Sequence, residues 1–89
     1  MKFTDKIWRA YPEKLSEIAE YFSQDEGIKI FFNNPSKEEI IAKLHEPTLM
    51  TFDGGGVLTY SNHEFDDIHI IDLEFSGVLE EFDCVNIDG

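Results

Sequence analysis

Basic residues are missing from the second half of this chain of 89 residues. All seven Lys and Arg residues lie in residues 1–43, beside eight acids, whereas residues 44–89 hold eleven acids and neither Lys nor Arg. The formal net charge is −12. Because nucleic-acid binding needs cationic groups that displace counterions, this imbalance excludes a direct nucleic-acid binder and disfavours an anionic membrane surface. A one-signed half also repels itself, which raises the question of what the charge gains for the protein.

Cysteine and long apolar segments are also scarce. Cys84 is the single cysteine, which excludes an intrachain disulfide. No apolar run approaches the roughly 20 residues of a membrane span, and the first residues lack the apolar core of a signal peptide. We therefore expect a cytoplasmic protein, in the host cytoplasm if a phage encodes it. The length and the 42% hydrophobic content predict a single globular domain over residues 1–89.

The first half predicts two helices separated by a short strand. Apolar residues recur at helical spacing from Pro12 to about Ser23, namely Leu15, Ile18, Ala19 and Phe22. The β-forming residues Ile28 to Phe32 predict the strand. Ser36, followed by Glu39, has the pattern of a capping box and predicts the start of the second helix. The buried side of that helix is expected to hold Ile40, Ile41 and Leu44.

The second half predicts antiparallel strands joined by polar turns. Thr48–Phe52 and Val57–Tyr60 flank a glycine-rich hairpin loop, and Ile68–Phe75 forms a third strand. Cys84 to Ile87 is a candidate for the last strand. The expected fold class is therefore α+β, with two helices packed on a small antiparallel sheet of about four to five strands.

The apolar alternation slips within the third strand. Ile70 and Ile71 follow each other where strict alternation would separate them. A β-bulge at this point would place all the apolar residues of the strand on one face. His69, Asp72 and Glu74 would then point outward together.

The order of elements in residues 12–77 resembles the N-terminal half of a GNAT-type N-acetyltransferase. The stretches FDGGGVLTY (residues 52–60) and IHIIDLEFSG (residues 68–77) look like the second, third and fourth strands of that family, whose fourth strand carries a bulge. Where the family has a Gln/Arg-x-x-Gly-x-Gly/Ala loop for the pyrophosphate of acetyl-CoA, this chain reads SGVLEEFD. Glu80 and Glu81 would repel a pyrophosphate there. The resemblance thus implies a truncated, degenerate fold without the activity, and an alternative role in binding a small ligand.

Other chemistry is weakly encoded. His63, Glu64, Asp66, Asp67 and His69 are candidate ligands for Zn²⁺ or Mn²⁺, but their spacing matches no metal motif, and an acidic solvated loop explains the same residues. Acidic neighbours raise the pKa of the Cys84 thiol and disfavour a nucleophile. No phosphate-binding loop or catalytic serine motif is present. We therefore expect no catalytic residue, no cofactor and no metal, and a protein that is not an enzyme.

An acidic binding surface is the remaining functional hypothesis. Asp72 and Glu74 are about 7 Å apart along a strand, close to the rise of every second phosphate of a DNA strand at about 3.4 Å per nucleotide. The predicted partner-binding residues are Glu64, Asp66, Asp67, Asp72, Glu74, Glu80, Glu81 and Asp83. They would block a basic site on a nucleic-acid enzyme such as a restriction or CRISPR nuclease.

Phage-encoded inhibitors of such enzymes are similar in size and charge to this chain, and so are immunity proteins against bacterial nuclease toxins, which are an alternative. A third interpretation is that the acidity serves solubility alone. The protein is expected as a monomer or, through pairing of exposed strand edges, a homodimer.

Overall fold

A computed structural model, which describes residues 2–89, has three helices followed by a four-stranded sheet. The helices are α1 (Phe3–Ser23), α2 (Glu26–Phe32) and α3 (Lys37–Leu44). The strands are β1 (Thr48–Phe52), β2 (Gly55–Tyr60), β3 (Ile70–Ser76) and β4 (Glu81–Asp88). They lie in the order β1-β2-β3-β4, and each neighbouring pair is antiparallel. The α+β class and the antiparallel sheet are confirmed, with three helices where two were expected.

Helix α1 begins at Phe3, well before the predicted start, and continues through Pro12. A proline inside a helix removes one backbone hydrogen bond and costs about 3 kcal/mol. The segment before Pro12 offsets this cost because it carries Ile7, which is fully buried with Ile18 and Phe22 in the same core. Tertiary packing of the apolar stripe therefore decides the length of this helix.

Residues 28–32 lie within helix α2, so the strand predicted there is wrong. The Asp25 carboxylate accepts a hydrogen bond from the backbone N–H of Ile28 at 3.0 Å and caps the helix start. Asn33 adopts a left-handed conformation, with φ of 61°, and ends it. Ile28 and Phe32, one helical turn apart, pack into or against the core, whereas Ile30 and Phe31 are exposed. The two caps outweigh the strand preference of these β-branched and aromatic residues.

Helix α3 begins where the capping pattern predicts. Ser36 Oγ accepts a hydrogen bond from the N–H of Glu39 at 3.1 Å. Ile40 and Leu44 are buried as expected, but Ile41 remains 39% exposed. Successive helical residues are about 100° apart around the axis, so Ile41 turns away from the side that Ile40 and Leu44 bury.

The sheet has its bulge at a different place from the one predicted. The pairing of β3 with β4 is regular from Ile70 to Glu74 and shifts between Glu74 and Phe75. Asp83 of β4 is the extra residue at this shift, since Cys84 pairs with Glu74 and Phe82 pairs with Phe75. Ile70 consequently points away from the core. At this end of β3, Ile71 is buried in the core and Ile70 is exposed.

The core lies between the helices and one face of the sheet. Leu58, Tyr60, Ile71, Leu73 and Phe75 supply its strand side and are fully buried. Gly56 pairs with Phe75, and a Cβ atom at residue 56 would lie 2.8 Å from the Phe75 ring and 2.6 Å from the carbonyl oxygen of Met50. The hairpin glycine therefore makes room for an aromatic ring on the neighbouring strand. Within residues 2–89, no helix has both the length and the apolar character that crossing a bilayer requires.

Candidate functional site

The sheet has an inner face, which packs against the helices, and an outer face. Residues directly opposite each other in antiparallel strands point to the same face, so the pairing assigns each side chain to one of the two. The outer face consists of Thr48, Met50, Phe52, Val57, Thr59, Ile70, Asp72, Glu74, Ser76, Glu81, Cys84, Asn86 and Asp88. Asp83 belongs to it as well, because its carboxylate accepts a hydrogen bond from Ser76. These outer-face side chains are exposed or half-buried. Gly55, which pairs with Phe52 and Ser76 and has no side chain, is the buried position of this face.

Carboxylates on β3 and β4 form a hydrogen-bonded acidic strip along the outer face. Asp72 accepts from the Thr59 hydroxyl at 2.7 Å. Glu74 accepts from the Asn86 amide at 2.9 Å and from the Cys84 thiol. Asp83 accepts from the Ser76 hydroxyl at 2.7 Å. We call Asp72, Glu74, Glu81, Asp83 and Asp88 the acidic strip.

Every donor to these carboxylates is neutral. The ion pairs of residues 2–89 lie elsewhere, on α1, α2 and α3 and in the connection between β2 and β3. Hydroxyl, amide and thiol donors fix the orientation of a carboxylate and leave its charge in place. Asp72, Glu74 and Asp83 thus present oriented negative charge, and no ion pair within residues 2–89 compensates it.

Cys84 lies within the acidic strip and is half-buried. Its hydrogen bond to Glu74 raises the pKa of the thiol above its usual value, and burial and the Glu74 charge raise it further. A thiol with a raised pKa is a poor nucleophile at neutral pH. In this position Cys84 orients Glu74.

Apolar side chains occupy the other half of the outer face. Met50 is 69% and Phe52 is 53% exposed, and both lie on the edge strand β1. Met50 pairs with Val57, which pairs in turn with Glu74. Side chains along this line of paired residues therefore change from apolar on β1 and β2 to acidic on β3. With strands about 4.8 Å apart, Met50 and Glu74 are about 10 Å from each other. The outer face therefore combines an apolar region with the acidic strip.

The eight predicted binding residues separate into three groups. Asp72, Glu74, Glu81 and Asp83 lie together on the outer face. Glu64, Asp66 and Asp67 lie on the connection between β2 and β3, at one end of the sheet. Glu80 lies in the turn between β3 and β4, at the opposite end, where its carboxylate accepts from the N–H of Val78. The seven residues of β3 separate the two ends by about 20 Å.

Asp66 is engaged inside its own loop. Its carboxylate accepts from the backbone N–H groups of Ile68 and His69 and pairs with Nδ1 of His69 at 2.6 Å. These hydrogen bonds, first of all the one from the His69 N–H, lower the pKa of Asp66 to about 2. Glu64 likewise contacts the His45 ring. Both carboxylates hold the loop in place and have less freedom to meet a partner than the acidic strip.

The histidines predicted as metal ligands also have protein partners. His63 is buried, with Nδ1 accepting from the N–H of Phe65 at 3.2 Å and Nε2 at 2.6 Å from the carbonyl oxygen of His69. The tautomer with a proton on Nε2 satisfies both contacts. In the part of the chain that the structure describes, no three His, Cys, Asp or Glu side chains converge as a metal site would require.

Sequence reasoning missed the neutral and apolar members of this face. Thr59, Ser76 and Asn86 orient the carboxylates, and Met50 and Phe52 extend the surface. The alternation within β1 carries a usable signal, because Thr48, Met50 and Phe52 share one phase. The hydrogen-bond donors carry no such signal, since their role depends on the pairing of β2, β3 and β4.

Neither a protein-family model, nor a curated protein, nor a solved structure matches this chain. The resemblance to the acetyltransferases stays a prediction. At the place where that family has its pyrophosphate loop, β3 passes through a turn at residues 77–80 directly into β4.

Proposed function

We propose that this protein is a non-enzymatic inhibitor whose acidic strip occupies the basic nucleic-acid-binding cleft of another protein, as a DNA mimic does. The observation that supports this most is the set of oriented carboxylates on β3 and β4 that have only neutral hydrogen-bond donors. Lys and Arg side chains of a partner would supply the countercharges that the strip lacks.

The spacing of the strip suits a cleft that normally holds phosphates. Asp72 and Glu74 repeat at about 7 Å along β3, and the paired strand adds Asp83 and Glu81 beside them. A Lys or Arg groove built for a nucleic-acid backbone has cationic groups at comparable intervals. The strip can therefore satisfy several of them at once.

The apolar region favours a protein as the partner. Met50 and Phe52 are large, exposed side chains on the same face as the carboxylates. Exposed aromatic and Met side chains are enriched where proteins bind proteins, and they supply contact area that charge alone does not. The acidic strip would provide rapid, oriented association, and the apolar region would slow dissociation.

The cytoplasm is the proposed compartment, since the proposed targets act there. A host restriction or CRISPR nuclease is the favoured target class, because its DNA-binding cleft is long and cationic. A bacterial nuclease toxin offers the same chemistry, and its inhibition would make this chain an immunity protein. Inhibition assays with both kinds of nuclease distinguish these two target classes.

The test measures DNA cleavage by purified basic nucleases, namely a restriction enzyme, a CRISPR nuclease and a nuclease toxin, with increasing amounts of this protein. We expect inhibition of one class that is competitive with duplex DNA. The association rate constant, measured by surface plasmon resonance, should fall steeply with salt because screening shortens to about 8 Å at 0.15 M.

Three double variants test whether inhibition depends on the acidic strip. Reversing charge with Asp72→Lys and Glu74→Lys should slow association about ten- to a hundredfold. The control reverses the same amount of charge with Glu13→Lys and Glu20→Lys on exposed positions of α1 and should change association little. Asp72→Asn with Glu74→Gln keeps the shapes and most hydrogen bonds, in case the reversed variant folds poorly. Equal effects of the two reversals, or no inhibition of any nuclease class, would contradict the proposal.

A further inference from the structure

A groove away from the outer face runs between α1, α3 and the segment that leads into β1. Its two adjoining hollows measure about 480 and 520 Å³ and share Tyr11 and Glu46 as lining residues. Trp8, Pro12 and Pro47 complete the first hollow, and Leu15 and Ile41 belong to the second. Small-molecule sites have volumes of roughly 300–1,000 Å³, so either hollow can hold a small ligand.

Two aromatic rings form one wall of the groove. Trp8 and Tyr11 lie one helical turn apart on α1, and their ring centroids are 5.9 Å apart at an angle of 71°. Trp8 is 40% exposed although it is the largest side chain of the sequence. The faces of such rings carry partial negative charge and attract cations within about 6 Å. Ring edges carry partial positive charge, and these two rings contact each other edge to face, so a cation would lie over an outward ring face of the pair.

Glu46 places a full negative charge in the same groove. It lines both hollows and takes part in none of the ion pairs of residues 2–89. The neighbouring cations are engaged elsewhere, since Lys43 pairs with Glu39 and His45 contacts Glu64. Glu46 and Tyr11 line both hollows together, which places the carboxylate beside that ring. The Tyr11 hydroxyl itself is hydrogen-bonded to the Tyr60 hydroxyl at 2.7 Å.

The backbone next to Glu46 is strained. His45 has φ of 57° and ψ of −167°, a region that is almost reserved for glycine. The contact of its ring with Glu64, and the hydrogen bond from the N–H of Glu64 to the carbonyl oxygen of Lys43 at 2.9 Å, hold this conformation. Backbone strain of this kind clusters at ligand-binding sites. Here it sets the direction in which the chain leaves α3 and so positions Glu46 and Pro47 on the groove.

We propose that this groove binds a small organic cation, with its ammonium group over an outward ring face of the Trp8–Tyr11 pair and beside the Glu46 carboxylate, and its apolar part toward Leu15 and Ile41. A neutral ligand would gain no attraction from the carboxylate, and an anion would be repelled by both the carboxylate and the net charge of −12. The proposal stands apart from the inhibitor function, since neither Trp8 nor Glu46 lies on the outer face.

The test uses choline as the probe and the protein's own fluorescence as the signal. Trp8 is the single tryptophan of the chain, so its emission reports directly on the groove. We expect a saturable change with choline. Dimethylbutanol, in which a carbon atom replaces the choline nitrogen, should bind at least tenfold more weakly because it lacks the charge.

Variants distinguish binding in the groove from nonspecific attraction of a cation to an acidic protein. Glu46→Gln should weaken choline binding several-fold, whereas Glu20→Gln, which removes the same charge from an exposed position of α1, should leave it unchanged. Trp8→Leu should weaken binding between about twofold and thirtyfold, measured by line broadening of the choline methyl signal in NMR. Circular dichroism establishes that each variant is folded.

Three results would overturn the proposal. A fluorescence change that never saturates, or an equal loss in Glu46→Gln and Glu20→Gln, would mean that choline responds to net charge alone. Equal binding of dimethylbutanol would mean that the groove selects shape without charge. None of these results affects the inhibitor proposal, whose variants leave the groove unchanged.

Discussion

Acidic side chains have two different roles at the scale of single residues. Asp66 uses its carboxylate to close a loop, with three hydrogen bonds from Ile68 and His69. Asp72 and Glu74 accept from neutral side chains and face away from the core. The first role contributes to stability, and the second keeps charge available for a partner. The sequence alone cannot distinguish these two roles, because they depend on which hydrogen-bond donors the fold brings to each carboxylate.

The role of Asp66 predicts how stability depends on pH. Its pKa is lowered to about 2 in the folded protein, from 3.8. A lowered pKa means that the carboxylate stabilises the fold fully above pH 4 and loses this contribution as pH falls through 4 toward 2. We expect Asp66→Asn to cost about 1 kcal/mol of unfolding free energy at pH 7.

The difference between the wild-type protein and Asp66→Asn should therefore narrow as the pH falls from 5 to 2. Urea unfolding followed by circular dichroism at a series of pH values measures it. Asp67→Asn is the matched control, because Asp67 is an exposed neighbour in the same loop. A pH-independent gap between the wild-type protein and Asp66→Asn would show that the carboxylate charge has no part in closing the loop.

At the scale of elements, local signals decided some helices and packing decided others. Ser36 and the residues after it predicted the start of α3 because a cap is a contact between near neighbours. Residues 28–32 have the composition of a strand, and the cap at Asp25 that makes them a helix is a single residue. The extent of α1 before Pro12 depends on the burial of Ile7 against residues distant in sequence. Contacts between residues distant in sequence cannot be recognised from the local pattern of apolar residues.

The candidate site was predictable to a similar degree. Asp72 and Glu74 point outward as predicted, but through regular alternation within β3 and not through the bulge predicted at Ile70 and Ile71. The joining of Asp83 to them depends on a shift of pairing between β3 and β4, which the sequence placed at the wrong residues. The groove at Trp8 and Glu46 could not be predicted from the sequence, because its two sides, α1 and the segment before β1, are far apart in the chain.

The capping of α2 predicts a measurable loss. Asp25→Ala removes the hydrogen bond to the N–H of Ile28 and should lower the unfolding free energy by about 0.5–2 kcal/mol. Because Ile28 is buried, loosening this first turn also disturbs the core. Urea unfolding measures the change.

Asp25→Ser retains an oxygen that can accept the same hydrogen bond and is expected to restore most of the loss. Equal stability of Asp25→Ala and the wild-type protein would mean that packing alone holds residues 26–32 in a helix.

At the scale of the whole molecule, net charge is the dominant property. A charge of −12 on 89 residues makes the folded state repel itself, and the strip concentrates part of that charge on two strands. Salt relieves the repulsion because the screening length falls from about 30 Å at 0.01 M to about 3 Å at 1 M. We therefore expect the melting temperature to rise by several degrees over this range of sodium chloride.

Differential scanning calorimetry measures this rise. The Asp72→Lys and Glu74→Lys variant should show a smaller rise than the wild-type protein, because it carries less negative charge to screen. A melting temperature that is independent of salt, or an equal rise in the variant, would mean that the repulsion is already relieved within the fold.

The two edges of the sheet differ in a way that matters for handling the protein. β4 ends the sheet with Glu81, Asp83 and Asp88, whereas β1 has the sequence TLMTF, without a charge, and leaves one side of its backbone unpaired. Uncharged edge strands are templates for intermolecular pairing. Electrostatic repulsion holds neighbouring copies apart at neutral pH, and it vanishes near the isoelectric point of about 4.3. Acidification thus removes the charge repulsion that protects β1, and precipitation during purification or crystallisation in acid would begin at that strand.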